Sequence, residues 1–539
     1  MSELLFMLAL GLPLILLLAC LAPAPRRFLP RMLWLAPLPA LLLALLLDAP
    51  AVWSLGNAHF ALHFALDTPG RILLGVAALL WTLAGIYAQS WLRLEQHGGG
   101  FVVTWLMSLT GLVGVFLAVD LISFYFLLAV LSFGASGTVL QGRGSSALRA
   151  GALYLGLALI AEAFLLAAFV MLAAATPNAS LLIADAAAAL PHAAQRELIL
   201  TLLLIGFGMK AGLVPLHFWM PLAYAAAPIP AAAVLSGAVV KASVLGLLRF
   251  LPASYAAPDF GLPLAALGLF AAFYGVAIGI TQQHPKHILA YSSVSQMGFI
   301  LAMIGMGLAA GAPGIALAVA FYAAHHVLVK GALFLAVGVI AHSGRKYLLA
   351  MFIPAVIIAL GLGGLALTGG ALAKYAAKDL FGDGMAGTLA MLTSVTSALL
   401  MLHFLHRLWH EQTPQRENHA PCGLIWPWLS LALAAVLVPW LLYVLIPINS
   451  LAQALAPGTL WDGLWPLLIG VLLAIGFERW KKHLPTIPAG DIASLLMTFG
   501  RANTALGAWS ERFDYVVRRW VVATITLIML VILFVFALK

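Results

Sequence analysis

Five ionisable side chains stand inside long apolar runs. Glu162 sits mid-run in YLGLALIAEAFLLAAFVML, and Lys210, Lys241, Lys330 and Lys374 are embedded in the same way. Two histidines, His325 and His326, precede Lys330 in AFYAAHHVLVKGALFL, and His326 is one helical turn from Lys330, on the same helix face. The chemistry these residue types share is reversible protonation. Burial disfavours the charged form of an amine and a nearby carboxylate restores it, so a buried lysine can exchange a proton near neutral pH, where imidazole also titrates. Arginine stays protonated and could not serve. A structural reading has the charges pinning helices together through buried ion pairs, but four lysines against one acid leave most of them without a counter-ion.

Two of the runs that carry these lysines are interrupted. GFGMKAGLVPLHFWMPLAYAAAPIP places Pro215 just after Lys210, and GLGGLALTGGALAKYAAKDLF places Gly369 and Gly370 just before Lys374. Proline and glycine at membrane depth break the helical ladder and free backbone groups for water or ions. A pair of broken, lysine-bearing helices in the two halves of one chain points to an inverted-repeat transporter with its path at the midplane.

The elements that must position these groups follow from composition. Of 539 residues, 64% are apolar and 8% are charged, against roughly a quarter charged in a soluble domain. Runs of the length needed to span a bilayer recur almost without pause, and about 16 are recognisable. Whole stretches are apolar on every face, which excludes a barrel with a polar lumen and predicts an all-α polytopic membrane protein. A charge at the centre of such a helix costs about 2.5–3.5 kcal/mol, so the five embedded ones are expected to face the bundle interior. Leu17-Leu18-Ala19-Cys20 has the look of a lipoprotein box, but Glu3 and the lack of a basic residue before it favour a retained span.

The net charge of +9 comes from Lys and Arg scattered between the apolar runs. It is a topology signal and gives no reason to expect nucleic acid. Alternate connections collect Arg93, Arg143, Arg149, Lys286, Arg345, Lys346, Arg407 and Arg479, which predicts that this face is cytoplasmic and both termini periplasmic in a bacterial inner membrane. Cys20 and Cys422 are too few and too isolated for an iron–sulfur or zinc ligand set. No nucleotide-binding glycine loop, trusted haem ligand pair or quinone pocket is legible, so no metal, cofactor or catalytic residue is expected, and any catalysis belongs to partners. The segment 484–516 mixes Ile492, Leu495, Phe499 and Trp509 with Asp491, Arg501, Glu511 and Asp514. It reads as an amphipathic helix along the membrane surface or as a plain linker before the last span, 517–538.

MKAGLVPLHFWMPLAYAAAPIPAAAVLSGAVVKASVLGLLRF, then HILAYSSVSQMGFI and HHVLVKGALFLAVG, closely resemble the antiporter-like subunits of respiratory complex I. Subunits of Mrp-type sodium/proton antiporters and of membrane-bound hydrogenases of the hydrogenase-4 and formate hydrogenlyase kind belong to the same family. The resemblance covers roughly residues 100–410. It implies N-terminal helices over 1–100, two inverted five-helix repeats over 101–250 and 251–410, and C-terminal helices with the interfacial segment over 411–539. By motif, Lys210 takes the place of the family's central lysine, Lys241 that of the lysine on the next helix, His326 and Lys330 the connecting relay, and Lys374 the terminal lysine. The family's glutamate on the fifth helix is replaced here by Ala129 in DLISFYFLLAVLSFGASG, which leaves Glu162 as the expected partner of Lys210.

The implied function is proton translocation by a membrane subunit of an NADH:quinone oxidoreductase-like or hydrogenase-like complex, its partners being other membrane and cytoplasmic subunits, the lipid bilayer and protons. A sodium/proton antiporter subunit is a second reading. A scaffold with an inactive channel, anchoring an oxidoreductase or a carbon-uptake partner, is a third.

Overall fold

Segments that are apolar on every side must satisfy their own backbone polar groups in lipid, and a helix does so within one segment. The computed structural model describes residues 2–22, 28–48, 51–57, 60–95, 100–252, 254–312, 314–411, 419–446, 450–480 and 487–488, and these are overwhelmingly helical. In chain order the first elements are α1 (Ser2–Ala19), α2 (Leu38–Leu46), a hairpin of β1 (Ala51–Asn57) and β2 (Phe60–Leu66), α3 (Thr68–Leu94), α4 (Gly100–Leu117), α5 (Leu121–Leu140) and α6 (Gly144–Ala175). Then come α7 (Ile183–Ala189), α8 (Arg196–Ala211), α9 (Trp219–Ala226), α10 (Ile229–Val234), α11 (Lys241–Phe250), α12 (Pro258–Gly279), α13 (Pro285–Ala310) and α14 (Ile315–Ala341). The remainder are α15 (Arg345–Gly363), α16 (Gly369–Phe381), α17 (Met385–His410), α18 (Cys422–Leu445), α19 (Leu451–Ala454) and α20 (Pro457–Trp480).

Among the described residues, 13 helices are long and apolar enough to cross a membrane, Ile229–Phe250 counting as one. The protein is therefore an all-α polytopic membrane protein, as its composition predicts. Two further expected spans are built from shorter pieces. The run near 32–48 is a 3-10 turn (Leu29–Arg31) followed by α2, and the run near 197–218 is α8, an irregular stretch and α9. The last expected span, 517–538, lies outside the described residues, as does 484–516 apart from residues 487–488.

The hairpin and α7 have no counterpart among the elements expected from sequence. Both lie on the face reached by the C-terminal ends of α4 and α11, and they close it with backbone bonds: Val119 donates to His63 O at 3.0 Å and Ile183 to Val119 O at 2.9 Å. Two buried charges finish this face. Asp120 accepts from the backbone N–H of Ser123 at the start of α5 and from that of His63, both at 2.7 Å. Arg249, at the end of α11, donates to the carbonyls of Val115, Phe116 and Ala118, which α4 leaves open at its end, and pairs with Asp67 at 3.0 Å. This is the hairpin face. The opposite, basic face carries Arg93, Arg143, Lys286, Arg407 and Arg479, and there Lys286 closes α9 by donating to the carbonyls of Ala225 and Ala227.

α14 runs through the middle, its span fully enclosed by α3, α13, α15, α16 and α18. Close helix packing at membrane depth needs small residues, and on α12 Gly261 meets Gly305, Gly268 meets Gly298, and Gly275 meets the backbone of Tyr291 and Ser295 of α13. A Cβ at Gly268 would stand 2.5 Å from the backbone nitrogen of Ala302.

Candidate ion pathway

Each lysine is set by a helix end or a helix defect. α8 stops at Gly212, which takes the left-handed conformation (φ 77°) and lets Leu213 donate back to Gly208 O at 2.9 Å, the usual way a helix closes on glycine. The chain then turns through Pro215 to α9, and Trp219 Nε1 donates at 3.0 Å to Met209 O, a carbonyl of the broken end. Lys210 thus projects from the last turn of a helix that ends inside the bundle. Its ammonium is 2.7 Å from Glu162 Oε1 of α6 and 2.7 Å from Ser132 Oγ of α5, while Ser132 donates to the same carboxylate oxygen at 2.5 Å. Glu162 is 3% exposed, so this three-way contact is sheltered from bulk water.

A narrow cavity, about 30 Å³, lies beside Lys210 and is bordered by Ser132, Tyr154, Ser243 and the residues flanking Lys241. It separates two lysines that no hydrogen bond joins among the described residues. Between α10 and α11 the backbone passes through one π turn, Leu235–Val239, a defect often met at functional sites. The turn presents Ser236 to Ser293 of α13 at 2.8 Å.

Lys241, the first residue of α11 beyond the defect, is fully buried and lies 2.7 Å from Nδ1 of His326. His326 and Lys330 share a face of α14, and Lys330, also fully buried, donates to Leu289 O at 2.8 Å. His325 points to the other side. It lies over the start of α16, where a Cβ at Gly369 would come within 2.8 Å of its Nδ1 and one at Gly370 within 3.0 Å of its Nε2. Both ring nitrogens of His325 and Nε2 of His326 are buried and have no protein partner among the described residues, and such atoms call for water.

The second break falls slightly earlier than the glycine pair. α15 ends at Gly364 (φ 102°), Leu367 is also left-handed (φ 64°), and Gly369 and Gly370 already open α16. The pair therefore does not make the break. Its lack of side chains allows α16 to approach His325 and Gly361 O. Lys374, one turn into α16, reaches back to donate at 2.8 Å to Gly363 O, an open carbonyl at the end of α15. Beside it a cavity of about 210 Å³ extends past Ser394, Thr388 and Lys378 to Asp383 in the connection on the hairpin face.

The seven ionisable residues singled out from sequence thus fall into three neighbourhoods: Lys210 paired with Glu162, Lys241 in contact with His326 one turn from Lys330, and Lys374 and His325 set separately around the start of α16. Sequence reasoning missed Ser132, which stands three residues after Ala129 on the same helix face. It also missed Gln296 of α13, which accepts from Tyr322 at 2.8 Å and donates to Ser397 at 3.1 Å.

Two broken helices with buried lysines and histidines set between them define a membrane protein of antiporter-like architecture. Residues 111–401 match the family described as NADH:quinone oxidoreductase/Mrp antiporter, transmembrane, and the chain belongs to that family. Similar proteins include hydrogenase-4 component B of Escherichia coli, 28% identical over 52% of this chain and 43% of that one. NADH-quinone oxidoreductase subunit N of Desulforudis audaxviator is 33% identical over 49% of this chain and 52% of that one. A Na(+)/H(+) antiporter subunit of Bacillus subtilis is 26% identical over 69% of this chain and 80% of that one. The matches thus span 43% and 52% of the length of the first two relatives.

Solved structures share the fold. A chain of the Mrp complex from Dietzia sp. superposes with a TM-score of 0.77 at 20% identity, covering 100% of this chain and 63% of that one. A chain of the membrane-bound sulfane sulfur reductase, an archaeal respiratory membrane complex, gives 0.73 at 22% identity, covering 99% and 100%.

Proposed function

We propose that this chain carries protons across a bacterial inner membrane as the antiporter-like subunit of a larger energy-converting complex, with its basic face cytoplasmic, its hairpin face periplasmic and its termini on the periplasmic side. The observation that carries this reading is the three-way contact of Glu162, Ser132 and Lys210, which puts a proton-holding pair at one end of a buried lysine and histidine series. The relatives named above support membership in a multi-subunit assembly, because their names are those of subunits. Two inverted five-helix repeats, 101–250 and 251–410, each contribute one broken helix.

In this mechanism the closed Glu162–Lys210 pair holds a proton on the amine. When a partner subunit or the membrane field draws the pair apart, the isolated ammonium releases that proton through the cavity to Lys241. From there it passes by His326 and Lys330, across water at His325, to Lys374 and the hairpin-face cavity. A field of 100 mV contributes about 2.3 kcal/mol per charge, comparable with the cost of parting one buried contact, so field and contact can trade off. The replacement of the fifth-helix acid by Ala129 leaves the axis active, because Glu162 reaches the same lysine from α6.

The match over 402 residues to a protein named as a sodium/proton antiporter component favours a second reading, in which the same axis exchanges sodium. Proton flux through the full chain, measured in sealed vesicles with a trapped pH dye under a potassium diffusion potential, tests both. A proton relay gives the same flux with and without sodium. Flux that needs sodium establishes the antiporter, and an absence of flux in either condition leaves only the scaffold reading.

A further inference from the structure

The outlet beside Lys374 is walled by a helix that lies beyond the family-matched residues 111–401. α20 leans on the second helix break itself, where a Cβ at Gly463 would stand 3.1 Å from Gly364 O. One residue earlier on α20, Asp462 reaches the cavity mouth and pairs with Lys378 at 2.9 Å. Lys378 is one turn beyond Lys374 on the same face of α16. Thr388, Ser394, Thr459 and Asp383 line the same cavity beside Phe299, Phe381 and Met391, so polar groups are spaced along a largely apolar wall from the buried amine to the hairpin face.

A proton leaving Lys374 must pass Lys378. Unpaired, that ammonium repels the departing charge; paired with Asp462, the two present no net charge. The side chains of Lys378 and Asp462 are 48% and 41% exposed. A pair this exposed gains little from its own contact and exchanges readily with water, so its place at the mouth explains its position better than stability does.

We propose that Asp462 of α20 is a positioning residue of the outlet, which neutralises Lys378 and so lets protons released by Lys374 leave at the hairpin face. The proposal rests on the proton-translocation reading. α20 is then part of the pathway, and a partner that moves α20 governs release. Each event transfers one proton from the Lys374 ammonium to cavity water and on to bulk water, with no change at Lys378 or Asp462.

The test is a double-mutant cycle on the full chain in vesicles of one orientation, with proton flux driven by a potassium diffusion potential. D462N removes the carboxylate in contact with Lys378 and leaves only Asp383 elsewhere on the cavity wall, and it is expected to lower flux about tenfold, the effect of a unit charge one helical turn away in partly hydrated surroundings. K378M is expected to match or exceed the unaltered chain. The double variant D462N/K378M is expected to return to at least half of its flux. Salt at about 1 M, which shortens the screening length to about 3 Å, is expected to rescue D462N. Undiminished flux in D462N, or a double variant as slow as D462N, overturns the proposal. Where the unaltered chain conducts and this cycle is flat, only the proposal fails; where the unaltered chain does not conduct, the reading beneath it fails as well.

Discussion

Replacing Glu162 with glutamine keeps the size and shape of the side chain and removes its charge. In the intact protein one carboxylate oxygen accepts a hydrogen bond from Lys210 at 2.7 Å and another from Ser132 at 2.5 Å, at a site 3% exposed. Removing one partner of a buried pair costs about 3–5 kcal/mol, because the other charge is left uncompensated. At about 1.4 kcal/mol per tenfold change in rate, this corresponds to a flux lowered by about a hundredfold to a few thousandfold when Lys210 must be loaded with a proton in every cycle. The assay is potential-driven flux in vesicles, normalised to the amount of folded chain by size-exclusion chromatography in detergent. Glu162→Asp, whose shorter carboxylate retains the charge, should recover part of the loss. A Glu162→Gln chain that assembles normally and conducts within threefold of the unaltered protein refutes the reasoning, since it shows that Lys210 does not depend on this carboxylate.

Ser132→Ala removes the hydroxyl shared by both charges, and hydrogen bonds to charged groups are worth about 1.5–3 kcal/mol, so flux should fall about tenfold or more and recover in Ser132→Thr. Gly370→Ala forces a methyl group against Gly361 O and the ring of His325; overpacking costs about 1–3 kcal/mol, and a thermal-shift assay should show a lower melting temperature. Gly11→Ala, with nothing within 4 Å of the added carbon, is the control. Arg249→Met uncovers three carbonyls at the end of α4 and should lower stability by about 1–3 kcal/mol or more, with flux per folded molecule unchanged.

The embedded charges are legible because an apolar background makes a single lysine conspicuous, and Glu162 stands out for the same reason. Ser132 does not, because a serine inside a membrane helix satisfies itself on its own backbone, as Ser132 also does with Leu128 O at 3.0 Å; only its register with Ala129 marks it. The glycine pair draws the eye to the second break because glycine signals a break, whereas the turn is made by Gly364 and the non-glycine Leu367. The hairpin 51–66 escapes notice because its strands are short and owe their place to Asp120 and Val119, more than fifty residues away. Asp462 looks like an ordinary charge near a helix start. Its meaning depends on α16, which lies far away in the chain, and tertiary contacts of that kind leave no local pattern.

The most direct measurement is the proton flux of a chain in which Lys330, fully buried between His326 and the carbonyl of Leu289, is replaced by methionine. Methionine fills the same volume without a charge, so the bundle should fold as before. A continuous relay predicts that flux collapses to the level of empty vesicles while thermal stability is retained. Undiminished flux in a folded Lys330→Met chain would contradict the account, for protons would then cross by a route that avoids the axis.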